Sequence, residues 1–240
     1  MFDKPVILLS ATIKPDPLIH IGRIDSEERE EDYYKAVSFY LKRGYPVVFV
    51  ENSDFNSERI QNLSRKSPYF EYITFLSEVS HLGKAKGEFE IINYALTNSK
   101  LLSEVDYVIK ITGRYIISNI DSLLLPTNAI TKDVYINPTR NLKWADTRLM
   151  MMKKSFYFSY FLPMAIRNFD ENNKVFMENI FMKSLLKYLL DGGELNLWPA
   201  YPAYQGIDGT HNEIVIFSLF KSWKYNLYYQ IKTFIFKHRA

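Results

Sequence analysis

Polar and charged residues in this 240-residue chain collect where short apolar runs end. Ser10 and Thr12 follow Val6-Ile7-Leu8-Leu9, and Glu51-Asn52-Ser53 follows Pro46-Val47-Val48-Phe49-Val50. Thr112-Gly113-Arg114 follows the run 106–111, which itself holds Lys110. Lys84 and Lys86 sit in Gly83-Lys84-Ala85-Lys86-Gly87-Glu88, ahead of a helical stretch. In an open parallel sheet, ligands bind beyond the carboxyl ends of the strands. A carboxylate there, Glu51, is placed to accept hydrogen bonds from ribose hydroxyls or a base. Lys84, Lys86, Lys110 and Arg114 suit phosphate oxygens, Arg114 with two parallel bonds.

The elements that would position these groups alternate in type. Apolar runs at 6–10, 46–50, 70–76 and 106–111 read as buried strands. Ser26 and the acidic residues after it mark a helix start, with Tyr33, Val37, Tyr40 and Leu41 at helical spacing up to Gly44. A second helix is expected over 88–99 and a third over 175–190, closed by Gly192-Gly193. Further strands are expected at 134–136 and 147–152. Strands alternating with helices argue βαβ units, hence an α/β domain with a mostly parallel, Rossmann-type sheet flanked by helices.

Composition narrows the classes. With 47% apolar and 24% charged residues, the chain has enough material for a core. It has no cysteine, which excludes disulfides, a thiol nucleophile and thiolate-bound zinc. Its four histidines, His20, His81, His211 and His238, show no metal-ligand spacing. A charge of +3 is too small to argue nucleic-acid binding. No Walker loop, Gly-x-Gly-x-x-Gly or Gly-x-Ser-x-Gly is present, which argues against P-loop enzymes, dinucleotide dehydrogenases and α/β-hydrolases. The N-terminus lacks the pattern of a signal peptide, and no run is long enough to cross a bilayer.

The blocks Glu51-Asn52-Ser53, Gly83 to Glu88, Asp106 to Tyr115 and Gly206-Ile207-Asp208-Gly209-Thr210 resemble bacterial glycosyltransferases that build lipopolysaccharide O-antigen, outer core or capsule. The resemblance spans roughly residues 5–215 and implies a GT-A-like nucleotide-sugar fold. It places Thr12 and Glu51 to Ser53 near the base and ribose of a nucleotide-sugar donor. GT-A enzymes carry Asp-x-Asp at the end of the central strand to hold a divalent metal, whereas this chain has Lys110 to Arg114 there. The expectation is that Lys110 and Arg114, with Lys84 or Lys86, replace the metal, so no cofactor is predicted and metal dependence is in doubt. Glu178, at the start of the 175–190 helix, resembles the family's acceptor-activating base; its other reading is a carboxylate favouring the helix dipole. Asp146 is the second candidate, with Arg148 as an alternative local partner. Asp208 and His211 belong to a loop that would close over the diphosphate, and Trp198, Tyr201 and Tyr204 would face acceptor sugars or simply pack.

Charge is uneven along the chain. Residues 25–32 hold six acidic groups against Arg29, whereas nothing after Glu213 is acidic. Ile216, Phe220, Trp223, Leu227, Ile231 and Phe234 form one helical stripe bordered by Lys221, Lys224 and Lys232. The expected division is a transferase domain at 1–215 and a basic amphipathic helix at 216–240. Such a helix suits the anionic lipid of an inner leaflet or docks on the domain itself. The expected partners are a nucleotide sugar and a lipid-linked or lipooligosaccharide acceptor, with no nucleic acid, and the expected location is cytoplasmic, peripheral on the inner membrane. Two other readings stand beside glycosyl transfer: a sugar nucleotidyltransferase, whose usual glycine-rich loop is missing from Ala11-Thr12-Ile13-Lys14-Pro15-Asp16, and a non-catalytic membrane adaptor.

Overall fold

The computed structural model describes residues 2–16, 22–124, 132–139, 141–170, 173–209, 211–216 and 223–231. The four leading apolar runs form β1 (Ile7–Ala11), β2 (Val47–Glu51), β3 (Phe70–Thr74) and β4 (Tyr107–Thr112). Among the described residues, eight further strands follow: β5 (Ile116–Ile117), β6 (Val134–Tyr135), β7 (Pro138–Thr139), β8 (Trp144–Ala145), β9 (Leu149–Lys153), β10 (Leu195–Asn196), β11 (Tyr204–Ile207) and β12 (Ile214–Ile216). The first four strands and three of these eight make one sheet in the order β10-β6-β9-β4-β1-β2-β3. All pairs are parallel except those of β9, which runs against both β4 and β6. The expected α/β fold, a mostly parallel sheet flanked by helices, is present.

Period-two alternation divides the sheet residues between two cores. Ile7, Leu9, Phe49, Ile109 and Ile111 face the helix Ser26–Lys42 through Tyr33, Val37 and Tyr40. Leu8, Val48, Val108 and Met150 face the helices Lys84–Asn98 and Met177–Leu190 through Ile92, Ala95, Ile180 and Phe181. Lys110 stands in the second register, so its side chain enters the layer of those two helices.

Helix Ser26–Lys42 is capped by Asp25, whose Oδ1 accepts the Glu28 N–H at 2.9 Å. Helix Met177–Leu190 is fixed at its start by Asn179, which accepts the Phe176 N–H at 3.1 Å and donates to the Lys143 carbonyl at 3.0 Å. The middle helix begins at Lys84 rather than Glu88, so Lys84 and Lys86 belong to its first turns.

The tail differs from the single helix expected over 216–240. Ile216 pairs with Gln205 in β12, because 214–216 is an apolar β-branched run that completes a small antiparallel sheet. Residues 223–231 are helical. Phe220, Lys221, Lys232, Phe234, Lys237 and Arg239 lie outside the described residues. Among the described residues, no helix is long and apolar enough to cross a membrane.

Candidate active site

Parallel register brings three strand ends level: Ser10 aligns with Val50 on one side and Thr112 on the other. The reversed β9 starts where β4 stops, with Ile111 opposite Leu149, so Thr147 and Arg148 arrive at the same edge. A cavity of 590 Å³ opens beyond these ends. The N-terminal turns of the helices Lys84–Asn98 and Met177–Leu190 close its other side.

Gly113 allows β1 and β4 to stay close at this edge. Its N–H donates to the Ser10 carbonyl at 2.9 Å, and a Cβ would lie 2.5 Å from that oxygen. Gly113 shapes the cleft through its backbone.

One wall is cationic. Arg29 is buried and donates through Nε to the Thr12 carbonyl at 2.7 Å and through Nη1 to the Arg23 carbonyl at 2.9 Å. Burial lowers its pKa, and the neighbouring Arg114 charge lowers it further. Arg114 lines the cavity with Nε and Nη1 buried and without hydrogen-bond partners. Its Nη2 lies against Gly209, where any Cβ would sit 2.0 Å away. Two adjacent guanidiniums, one with unfilled donors, make an environment that favours an anion. Lys84 also lines the cavity, whereas Lys86 does not.

The end near β2 presents an amide. Thr12 Oγ1 donates to Asn52 Oδ1 at 2.6 Å, which leaves Asn52 Nδ2 buried in the cavity wall without a partner. Glu51 does not fit its expected role as a ribose or base acceptor. Its Oε1 accepts the N–H groups of Ile13 and Ser53, both at 2.9 Å. Its Oε2 accepts the Phe55 N–H at 2.9 Å and the Thr74 hydroxyl at 3.1 Å. Ser53 is consumed likewise: its hydroxyl donates to Glu51 and accepts the Lys14 N–H at 3.0 Å. The Glu51 carboxylate therefore organises the strand ends instead of facing a ligand.

Lys110 also departs from expectation. Its ammonium is wholly buried, ion-paired with Glu88 Oε1, and donates to Thr112 Oγ1 at 3.0 Å and the Thr147 carbonyl at 2.9 Å. With its charge met inside the protein, it lies beneath the cavity rather than in its lining. Glu178 does line the cavity. Burial raises its carboxyl pKa to about 7, with Glu88 adding to the rise and Lys110 opposing it. A carboxyl balanced near neutrality can accept or give a proton.

Asp146 is held by Arg148, Oδ1 to Nε at 2.8 Å and Oδ2 to Nη2 at 2.7 Å, so the local-partner reading is the one found. Asp146 lines a second cavity of 630 Å³ that shares Glu178, Arg148 and Trp144 with the first. His211 reaches the first cavity from an exposed loop, where its N–H caps Asp208 Oδ1 at 2.8 Å. Trp198 and Tyr204 are core residues, and only Tyr201 of that aromatic trio lines the second cavity.

Sequence reasoning missed Arg29, Tyr33 and Glu88. Arg29 and Tyr33 lie four apart on one helix, and that spacing was the available signal for an inward-facing arginine. Glu88 was readable only by pairing it with Lys110 across the fold. Among the described residues, no three acidic or histidine side chains gather to hold a metal.

No protein-family model matches the sequence, and no curated protein matches it. The chain is 14% identical to the inositol-1-phosphate CTP transferase of T. maritima over 96% of each chain, with a TM-score of 0.49. It is 10% identical to a protein assigned as a nucleotide-diphospho-sugar transferase of Desulfovibrio desulfuricans, over 82% of this chain and 80% of that one, with a TM-score of 0.45. A nucleoside-diphosphate-sugar pyrophosphorylase of Vibrio cholerae aligns at 9% identity over 80% of this chain and 91% of its own, with a TM-score of 0.46. None of these three names refers to lipopolysaccharide, capsule or a membrane.

Proposed function

We propose that the chain is a transferase that binds a nucleotide-activated sugar in the first cavity and passes the sugar to a hydroxyl acceptor. The observation that carries this reading is the Arg114 guanidinium beside Arg29, its Nε and Nη1 without partners, in the same cavity as a carboxyl with a pKa of about 7. A diphosphate would fill the Arg114 donors and offset the repulsion between the two cations. Asn52 Nδ2 would donate to a carbonyl or hydroxyl of the nucleoside. As the acceptor oxygen bonds to the anomeric carbon, its proton passes to Glu178. The bond from that carbon to the phosphate oxygen breaks, and the nucleoside diphosphate leaves with both electrons. Guanidinium donors at that oxygen stabilise the charge that develops there.

A panel of nucleoside diphosphates and nucleotide sugars tests the reading by thermal shift, followed by detection of released nucleoside diphosphate. Stabilisation and release with at least one donor support it, and neither with any donor overturns it.

Sugar nucleotidyl transfer is the second reading, and related activities are named for several of the aligned structures. Against it stands the segment 11–16, which contains no glycine and is pinned at Thr12 by Arg29, Tyr33 and Asn52. Pyrophosphate release from a nucleoside triphosphate and a sugar phosphate would select this alternative.

The setting we infer is a growing bacterial surface glycan (O-antigen, core or capsule) with the enzyme peripheral on a membrane. Support comes from the resemblance of the sequence blocks and from the 223–231 helix. Trp223 is 64% exposed there, with Leu227 and Ile231 exposed on the same side and Lys224 beside them. Sedimentation with anionic vesicles tests the attachment; equal partitioning of wild type and Trp223→Ser/Leu227→Ser would refute it.

A further inference from the structure

The second cavity carries its own chemistry. It adjoins the first at Glu178, so a hydroxyl entering from it meets the carboxyl that would take its proton. Its walls are aromatic: Trp144, Tyr201, Tyr225 and Tyr228. The Tyr201 and Tyr225 rings stack at a centroid distance of 5.2 Å, and Tyr228 is 67% exposed. Besides Glu178, the polar members are Asn137, Thr139, Asn141 and the Asp146–Arg148 pair, in which the guanidinium charge is already met.

That combination selects a ligand class. An anion would face the carboxylates of Asp146 and Glu178 with Arg148 already paired. An acyl chain would bury Asn137 and Asp146 against hydrocarbon, at a cost in lost hydration. A neutral sugar ring satisfies both kinds of wall, because its C–H faces lie on aromatic rings while its hydroxyls bond to carboxylate and amide groups. We propose that the second cavity is a saccharide-binding site that seats the acceptor sugar, which rests on the glycosyl-transfer reading above.

The helix at 223–231 completes this site. Asn226 Oδ1 accepts the Tyr201 N–H at 3.0 Å and Tyr229 is buried in the core, which docks the helix and brings Tyr225 and Tyr228 to the cavity. At 100° per residue, the outward side of Trp223, Leu227 and Ile231 lies away from Tyr225 and Tyr229. One short helix therefore walls a saccharide site with one side and presents apolar groups to solvent with the other.

The test uses the full chain and the methyl glycosides of glucose, galactose and N-acetylglucosamine, observed by saturation-transfer NMR. At least one glycoside should receive saturation at its ring C–H protons. Tyr228→Ala should weaken that binding about five- to tenfold through loss of a stacking face, and Tyr228→Phe should retain it. Thermal stabilisation by nucleoside diphosphates is measured in parallel and should be the same in all three proteins. No glycoside signal from wild type, or equal signal from Tyr228→Ala, overturns the saccharide site even where nucleotide binding persists. Glycoside binding without nucleotide binding would instead sink the donor reading and leave the saccharide site standing.

Discussion

Lys110 and Glu88 meet inside the molecule, with the ammonium wholly buried between β4 and the helix Lys84–Asn98 and its remaining hydrogens on Thr112 and Thr147. Removing one member of such a pair leaves an uncompensated charge, which typically costs about 3–5 kcal/mol. Lys110→Met should therefore lower the urea midpoint strongly, and adding Glu88→Gln should recover part of the loss. Nucleoside diphosphate affinity, measured on the folded fraction, should change less than about twofold. A tenfold loss of affinity in a stably folded variant would return Lys110 to the phosphate site.

Glu51 makes a parallel case. Its carboxylate is fully buried and accepts backbone N–H groups from Ile13, Ser53 and Phe55. Glu51→Gln keeps the shape but turns an NH₂ toward those donors, which should destabilise the fold by about 2–4 kcal/mol, judged from the cost of unmet buried polar groups. Denaturant titration reads this directly. A variant as stable as wild type that loses nucleotide binding would mean that Glu51 faces a ligand.

These two residues also mark where the sequence was legible. The strands were readable because β1, β2 and β4 are apolar runs buried on both faces, and the cleft followed from where such strands end. Which side chains enter the cleft was harder to read, because consumption is decided by partners distant in sequence. Glu51 meets the Ile13 N–H 38 residues away, and Lys110 meets the Thr147 carbonyl 37 residues away. Period two did hold the information that Lys110 points into the helical layer with Val108. Gly113 illustrates the reverse: it was expected among the donor-binding residues with Arg114, yet its need arises from the Ser10 carbonyl. At 214–216 a helical stripe and a β-branched run overlap, and sheet pairing with β11 prevailed over the helical period.

Arg114 should behave in the opposite way to Lys110. Its Nε and Nη1 are buried with no internal partners, so Arg114→Ala removes a half-buried charge held close to Arg29. Thermal stability of the unliganded protein should hold or rise. Affinity for a nucleoside diphosphate should fall roughly ten- to a hundredfold, the value of one or two charge-assisted hydrogen bonds. The salt dependence of binding should flatten at the same time. Calorimetry at two ionic strengths checks both, and unchanged affinity would remove Arg114 from the site.

Glu178 gives a prediction in pH. Burial raises its pKa from 4.5 to about 7, so the group is mostly protonated at pH 6 and mostly ionised at pH 8. As the proton acceptor it should give a rate that climbs as pH rises toward 7 and levels above it. Glu178→Gln should lower kcat by about 10²–10⁴-fold and abolish that limb. The stability effect has the opposite sign. A raised carboxyl pKa means that the fold holds the proton more tightly than the unfolded chain does, so this stabilisation is full below 4.5. It declines as pH rises and is gone once the folded group has ionised, above about 7. Glu178→Gln should match wild type near pH 4 and exceed it at pH 8 in thermal melts. A variant with lower stability at pH 8, or an unaltered pH–rate profile, would show that Glu178 only packs at the helix start.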